Sequence, residues 1–477
     1  MAITIEAQPQ VLTTGYNPIM YYLSSTNVNE RSFRFIVEVY ISGGGAKLFE
    51  KKYPPRPLDG LAEVNISRDI QNFLSSNLPF LVTHNQNATN QFLKFDIKFG
   101  EEYVVAWNYT DFVFLNNAVG FEQVPNVTAH PFVVGDQIRT QFNSTYGDFR
   151  DTINGLHTVV DVPSVYELQT ELPWISSGAV SAGKIYYADN RKSRFTNLTN
   201  LTNQTAFNGA LDLLDFKNYN YTNFVPATPS VARLLTNCPL ITTQSLSQDR
   251  WMAYWNNYAS STKVLWFEDS LGNKGYRNLT ASTNNGVVQF PCGLDNLPTL
   301  TMTVGTAIDL TSDYVDYWLQ VSTDKVTETF RMLIDERCAI EEYSILFFDR
   351  LGAFCSFAFN LRSTENGNVT RNSYNKKFGD VNLTSNTFDF TTYDKGDAIY
   401  SVDLKKEITL NTNWMSDVES VYFEELMTSG DTFLKIGSNY FACTITDTSF
   451  PIERQKNKNL IRKTITVKLA VQTPINL

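Results

Sequence analysis

Apolar and polar residues alternate with a period of two along much of the chain. Successive side chains of a strand point to opposite faces, so this pattern predicts half-buried strands of antiparallel sheets. Phe33-Arg-Phe-Ile-Val-Glu-Val-Tyr-Ile41 places Phe33, Phe35, Val37, Val39 and Ile41 on one face. Leu93-Lys-Phe-Asp-Ile-Lys-Phe99 alternates more cleanly still, with Lys94, Asp96 and Lys98 outward, and Ile465 to Val471 repeats the pattern near the end. Further strands are expected over Trp251–Trp255, Val264–Phe267 and Val287–Phe290. Helical periodicity is scarce. Ser67–Ser75 reads as a short helix with Ser67 as N-cap and Ile70, Phe73 and Leu74 on one side, and Asp417–Met427 reads as a second.

Punctuation divides the chain. The Gly43–Gly45 run and Tyr53-Pro-Pro-Arg-Pro57 break the first block, and 477 residues suggest roughly two to four domains. The expected organisation is a mainly β protein of two or three antiparallel β-sandwiches. Its blocks are an N-terminal sandwich over 1–115, an irregular arm or insertion over 116–235, a second sandwich over 236–335 and a β-rich domain over 336–477. The arm is proposed because a long stretch rich in Asn, Thr and Tyr without periodicity is commonly an insertion or a binding element.

Composition narrows the function classes. Charged residues are 18% of the chain, below the roughly 25% of an average globular protein, while aromatics reach 13%. Low charge with abundant Tyr and Asn suits surfaces that meet other proteins. The net charge of −10 and the lack of a long basic run argue against direct nucleic-acid binding. No apolar run approaches the ~20 residues of a membrane-spanning helix, so no membrane insertion is expected.

Candidate chemistry is thin. The five cysteines (Cys238, Cys292, Cys338, Cys355, Cys443) are widely spaced and read as small buried thiols. The three histidines, His84, His130 and His157, lack metal-ligand spacing, and no nucleophile elbow or phosphate-binding loop occurs. Acidic pairs stand at Glu101-Glu102, Glu341-Glu342 and Glu424-Glu425. Glycosidic cleavage needs two carboxyls facing one cleft, whereas neighbours on a strand face apart. One member of such a pair is expected in a turn network and the other in solvent. Trp251-Met-Ala-Tyr-Trp255 puts two indoles on one strand face, a pattern of sandwich cores more than of sugar platforms. No catalytic, cofactor-binding or metal-ligating residue is therefore assigned, and no enzyme activity is expected.

Twelve Asn-x-Ser/Thr triplets punctuate the sequence, beginning at Asn65 and ending at Asn382. Met1-Ala-Ile-Thr-Ile-Glu-Ala-Gln has neither a basic n-region nor an apolar h-region, so the triplets are expected to serve turns and contacts rather than glycans.

Several segments resemble virion structural proteins (ring, neck or tail) of tailed bacteriophages of Bacteroidota, including crAss-like podoviruses. They are Pro9-Gln-Val-Leu-Thr-Thr-Gly-Tyr-Asn-Pro-Ile19, Gly100-Glu-Glu-Tyr103, Ala206-Phe-Asn-Gly-Ala210, Leu234-Leu-Thr-Asn-Cys-Pro239, Phe347-Phe-Asp-Arg-Leu-Gly-Ala-Phe354 and Glu425-Leu-Met-Thr-Ser429. The fifth is similar to a segment usually written Trp-Leu-Asn-Arg-Leu-Gly-Gly, with Phe347, Phe348, Asp349 and Ala353 as departures. The resemblance implies a virion protein of the tail or neck, made in the bacterial host cytoplasm. Its partners would be itself in a cyclic ring and other phage tail or neck proteins. Candidate subunit contacts are Tyr146, Phe149, Tyr186, Tyr187, Phe195, Tyr219 and Tyr221, all in the expected arm. The alternative is a carbohydrate- or receptor-binding tail-tip or baseplate protein, motivated by Trp251, Trp255 and Trp266. A depolymerase, motivated by the acidic pairs alone, is a third reading.

Overall fold

The structure is a computed structural model. It describes residues 3–76, 86–104, 106–114, 120–123, 132–142, 155–164, 167–170, 179–189, 192–225, 231–257, 263–279, 286–321, 325–335, 342–393, 396–451 and 461–471. The fold is mainly β, built of several sheets whose pairings are overwhelmingly antiparallel. The chain forms two compact units and passes between them repeatedly. One comprises 1–9, 19–66 and 95–204; the other comprises 10–18, 67–94 and 205–477.

In the first unit a sheet of Ile3–Ala7, Met20–Ser25 and Ala62–Asn65 faces a sheet containing Arg34–Ile41, Lys47–Tyr53 and Phe92–Val104. The alternation read from sequence sets this core: Phe35, Val37, Val39, Phe95, Ile97 and Phe99 are fully buried. Tyr21 and Phe99 meet across it with ring centroids 5.4 Å apart. Glu38 alternates away from that core and is buried as well, held by Arg194 at 2.6 Å.

The stretch expected to be an irregular arm, 116–235, carries strands instead. Gly120–Gln123, Gln137–Phe142, Gly155–Ser164, Glu167–Thr170 and Ala179–Tyr187 pair in a closed antiparallel ring with Ala106–Phe114 of the preceding block, and the long strand Lys192–Phe207 follows. Asn supplies local geometry here: Asn197 and Asn203 adopt left-handed φ of 63° and 57° within the long strand, and Asn220 caps a 3₁₀ turn through its side chain. These three Asn begin Asn-x-Thr triplets, and each serves backbone geometry.

In the second unit the sheets of the expected 236–335 and 336–477 blocks share one core. A seven-stranded sheet that includes Lys263–Asp269, Tyr314–Val321 and Phe330–Asp335 packs on a ten-stranded sheet that includes Trp251–Asn256, Gly286–Pro291, Tyr343–Phe348 and Phe354–Phe359. Leu265, Phe267 and Leu319 from one sheet and Met252, Val288 and Phe347 from the other belong to a single buried cluster. The cuts expected near 115, 235 and 335 thus do not coincide with the compact units. Helix Asp417–Thr428 closes one edge of this core with Tyr422, Phe423 and Leu426; Ser416 and Glu419 form a capping box at its start. The other expected helix is shorter than its sequence suggested, spanning Ser67–Gln71.

Candidate functional site

Five segments that carry the resemblance lie up to some four hundred residues apart, yet converge in the second unit. The turn between strands Tyr343–Phe348 and Phe354–Phe359 is the centre. Gly352 takes φ +111° there, which an L side chain rarely adopts. The Asp349 carboxylate faces inward and accepts three amides of its own turn, Leu351 at 2.9 Å, Gly352 at 2.8 Å and Ala353 at 3.0 Å. Its second oxygen accepts the Thr236 hydroxyl at 2.5 Å and the Asn237 amide at 3.2 Å. Arg350 presents its backbone to two other segments. Its carbonyl accepts the Ala210 amide at 2.9 Å, and its amide donates to Glu425 Oε2 at 2.9 Å. Glu425 Oε1 accepts Asn237 Nδ2 at 3.0 Å, and the Arg350 guanidinium reaches Glu424 at 2.8 Å. Residues 15–17 complete the knot: Tyr16 donates its amide to Gly209, and the Asn17 side chain bonds Leu211 in both directions, as acceptor at 2.8 Å and donor at 2.9 Å.

The electrostatics follow from this burial. Burial together with the charge of Asp349 pushes the Glu425 carboxyl up to about 7, against the opposing pull of Arg350. A carboxyl at that value beside a cleft is a general-base candidate in principle. Here both oxygens are taken as acceptors by Arg350 and Asn237, so the group staples the helix to the turn. Burial likewise raises the Asp349 carboxyl, opposed by its five donors. An open cleft lined by Tyr16, Asn208, Arg350, Glu425 and Asp431 lies over the knot. Among the described residues no group of three His, Cys, Asp or Glu is disposed to hold a metal ion.

A second feature is an arm in the range 364–411. Strand Thr364–Asn375 pairs antiparallel with strand Asp397–Asn411, and the latter joins the ten-stranded sheet through Glu407–Asn411 against Thr464–Lys468. From Gly367↔Lys406 to Asn375↔Asp397 the hairpin stands clear of that neighbour, nine register pairs or about 30 Å of strand. Every residue of Thr364–Asn375 is exposed. A small hairpin, Asp380–Asn382 with Thr387–Asp389, forms the tip, where Phe378, Phe388 and Phe390 cluster at centroid separations of 5.9 to 6.1 Å. Leu383 is 86% exposed, Tyr393 81% and Phe390 58%. The six aromatics Tyr374, Phe378, Phe388, Phe390, Tyr393 and Tyr400 are each about half exposed or more. At ~200 Å² per aromatic side chain they offer about 700 Å² of apolar surface.

The residues expected to make subunit contacts are dispersed. Tyr146 and Phe149 lie outside the described residues, and for Tyr187 only the backbone, at the end of strand Ala179–Tyr187, is described. Tyr186 is buried, with the Arg31 guanidinium 5.6 Å from its ring centroid. Tyr219 donates its hydroxyl to the Leu12 carbonyl at 3.0 Å and stacks on Phe224, while Tyr221 sets its ring edge-on to Trp255. Their surface is largely spent inside the chain's own fold. Phe195 remains 40% exposed and stacks on Tyr103. The exposed arm is 364–411, whose outer strand Thr364–Asn375 is polar but for Gly367, Val369 and Tyr374. The available signal was that very polarity, followed by three Phe within thirteen residues, 378–390.

The other candidates have plain structural uses. Trp251 and Trp255 are core residues, whereas Trp266 stands on the outer face of the seven-stranded sheet, stacked with Trp318 at 6.2 Å and donating its indole N–H to Gln320. Glu101 and Glu102 do face apart, but neither is solvated: Glu101 accepts from Ser25 and Asn27, and Glu102 pairs with Lys52 at 2.6 Å. Gly100 is inside strand Phe92–Val104. Cys238, Cys292, Cys355 and Cys443 are buried free thiols; Cys338, His84 and His130 lie outside the described residues, and His157 is buried.

No protein-family model matches the chain, and no curated protein matches it. Among solved structures, the comparison returns a tetra-tandem repeat in the extending region of a large adhesion protein, 10% identical, covering 86% of this chain and 95% of that one. Its TM-score of 0.12 is too low to carry an argument about fold or role.

Proposed function

We propose that this chain is a structural subunit present in many copies in the tail or neck of a tailed-bacteriophage virion, acting by assembly and not by catalysis. The observation that carries the reading is the exposed apolar arm. An isolated two-stranded ribbon is at best marginally stable in water, and one tipped with three clustered phenylalanines gains by docking on a protein surface. The meeting of five of the resembling segments around the Asp349–Arg350 turn adds weight, because it gives the scattered resemblance one physical origin: a shared hydrogen-bonded knot. Among the described residues no helix is long and apolar enough to cross a membrane. Electron microscopy and quantitative mass spectrometry of phage particles test the proposal. Multi-copy density accommodating the arm against a neighbour is expected; absence of the chain from particles refutes it.

The second reading, a carbohydrate- or receptor-binding tail-tip protein, rests on the Tyr276–Trp266–Trp318 ladder on the outer face of the seven-stranded sheet. A glycan array compared with that of Trp318→Ala discriminates, since Trp-dependent binding favours it and silence opposes it.

A further inference from the structure

The arm's outer strand, Thr364–Asn375, is an edge of the ten-stranded sheet, and its full length is exposed. An edge of this length presents unpaired backbone donors and acceptors and is a template for another strand. Natural edges are blunted by charge, and the edge strand Lys47–Tyr53 of this chain is, with three lysines and a glutamate in seven residues. The outer arm strand carries only Glu365 and Arg371 as charges. The opposite end of the same sheet is Gln86–Asn87, which makes two register pairs. Head-to-tail extension of this sheet from copy to copy therefore has almost nothing to join to.

We propose that a second copy of this chain occupies the edge, with the two outer strands pairing antiparallel about a twofold axis through Asn368. The register follows from the charges. Among antiparallel self-pairings of Thr364–Asn375, the one that sets Asn368 opposite its own counterpart puts Glu365 across from Arg371 at both ends. The same register sets Gly367 across from Val369. Registers centred on Glu365 or on Arg371 oppose like charges. Nine residues of each copy, Thr364 to Asn372, then pair, and the run ends at the bulge between Asn372 and Ser373. Glu365, Gly367, Val369 and Arg371 share one face, on which Gly367 and Val369 neighbour Leu404, whose Cδ1 lies 3.1 Å from the position a Gly367 Cβ would take. In the pair, Val369 of each copy covers the partner's Gly367 and adds to a continuous Val369–Leu404 stripe. The symmetry is isologous: one patch meets itself.

This inference rests on the reading of the chain as an assembly subunit, and it specifies the contact. The test uses the full chain at micromolar concentration in sedimentation-velocity experiments. Wild type is expected to form dimers or even-numbered multiples. Asn368→Lys and Asn368→Asp each place like charges face to face and are expected to weaken association roughly tenfold or more. Mixing the two variants is expected to restore it, because Lys and Asp then oppose each other. Asn368 is exposed and its change leaves the monomer's core intact, which circular dichroism of each variant verifies. Wild type that remains monomeric overturns the pairing, as does assembly indifferent to both variants and to their mixture. In the latter case assembly itself stands, and particle stoichiometry decides the broader reading separately.

Discussion

Replacing Asp349 by alanine tests whether the knot determines the fold of the second unit. The buried carboxylate accepts five hydrogen bonds, three from its own turn and two from Thr236 and Asn237. Bonds to a charged acceptor contribute about 1.5 kcal/mol each, or about 7 kcal/mol for five. Removing a buried carboxylate also relieves several kcal/mol of desolvation. The difference leaves an expected loss of about 4 kcal/mol, a large part of the 5–15 kcal/mol typical of a folded protein. Asp349→Asn is the matched control. It preserves an oxygen for Leu351, Gly352 and Ala353 and lets the amide donate to the Thr236 oxygen, while the Thr236 hydroxyl and the Asn237 amide lose their acceptor, so about 2 kcal/mol is expected. Urea unfolding followed by tryptophan fluorescence reports on the site, since Trp251 pairs with Phe354 at the end of the turn. A midpoint shift at unchanged slope isolates stability. An alanine variant within about 1 kcal/mol of wild type would refute the assignment of Asp349 as the knot's acceptor.

Other outcomes follow from the same geometry. The Glu425 carboxyl is raised to about 7 in the folded chain. The folded state therefore binds more protons than the unfolded one between about pH 4.5 and 7, and the stabilisation is full below that window and lost as pH rises through it, by about 3 kcal/mol in total; Glu425→Gln is expected to flatten this slope in denaturation series at stepped pH. Gly100→Ala places a Cβ 2.4 Å from the Phe195 carbonyl and 2.9 Å from the Thr196 Cα, both backbone, so a loss of at least about 2 kcal/mol is expected in the first unit, read by hydrogen exchange of Phe95–Phe99. Phe388→Ser with Phe390→Ser in the arm is expected to leave the melting temperature nearly unchanged while weakening self-association, checked by calorimetry and sedimentation.

What sequence alone determined is what one strand settles by itself. Phe35, Val37 and Val39, then Phe95, Ile97 and Phe99, are buried where their alternation placed them, because a side chain's face depends only on its parity along the strand. The helix at Asp417–Thr428 was legible for the same reason, being a local 3.6-residue pattern behind a Ser cap. Tertiary structure decided the rest. That Thr236, Asp349 and Glu425 share one hydrogen-bond network depends on sheet order and crossovers, which no local pattern specifies. The interleaving of 10–18 and 67–94 with 205–477 is equally non-local. The arm escaped notice for the converse reason. A strand exposed on both faces has no buried side to impress a period on its sequence, so within the β-rich block expected over 336–477 nothing singled out Thr364–Asn375 as an arm.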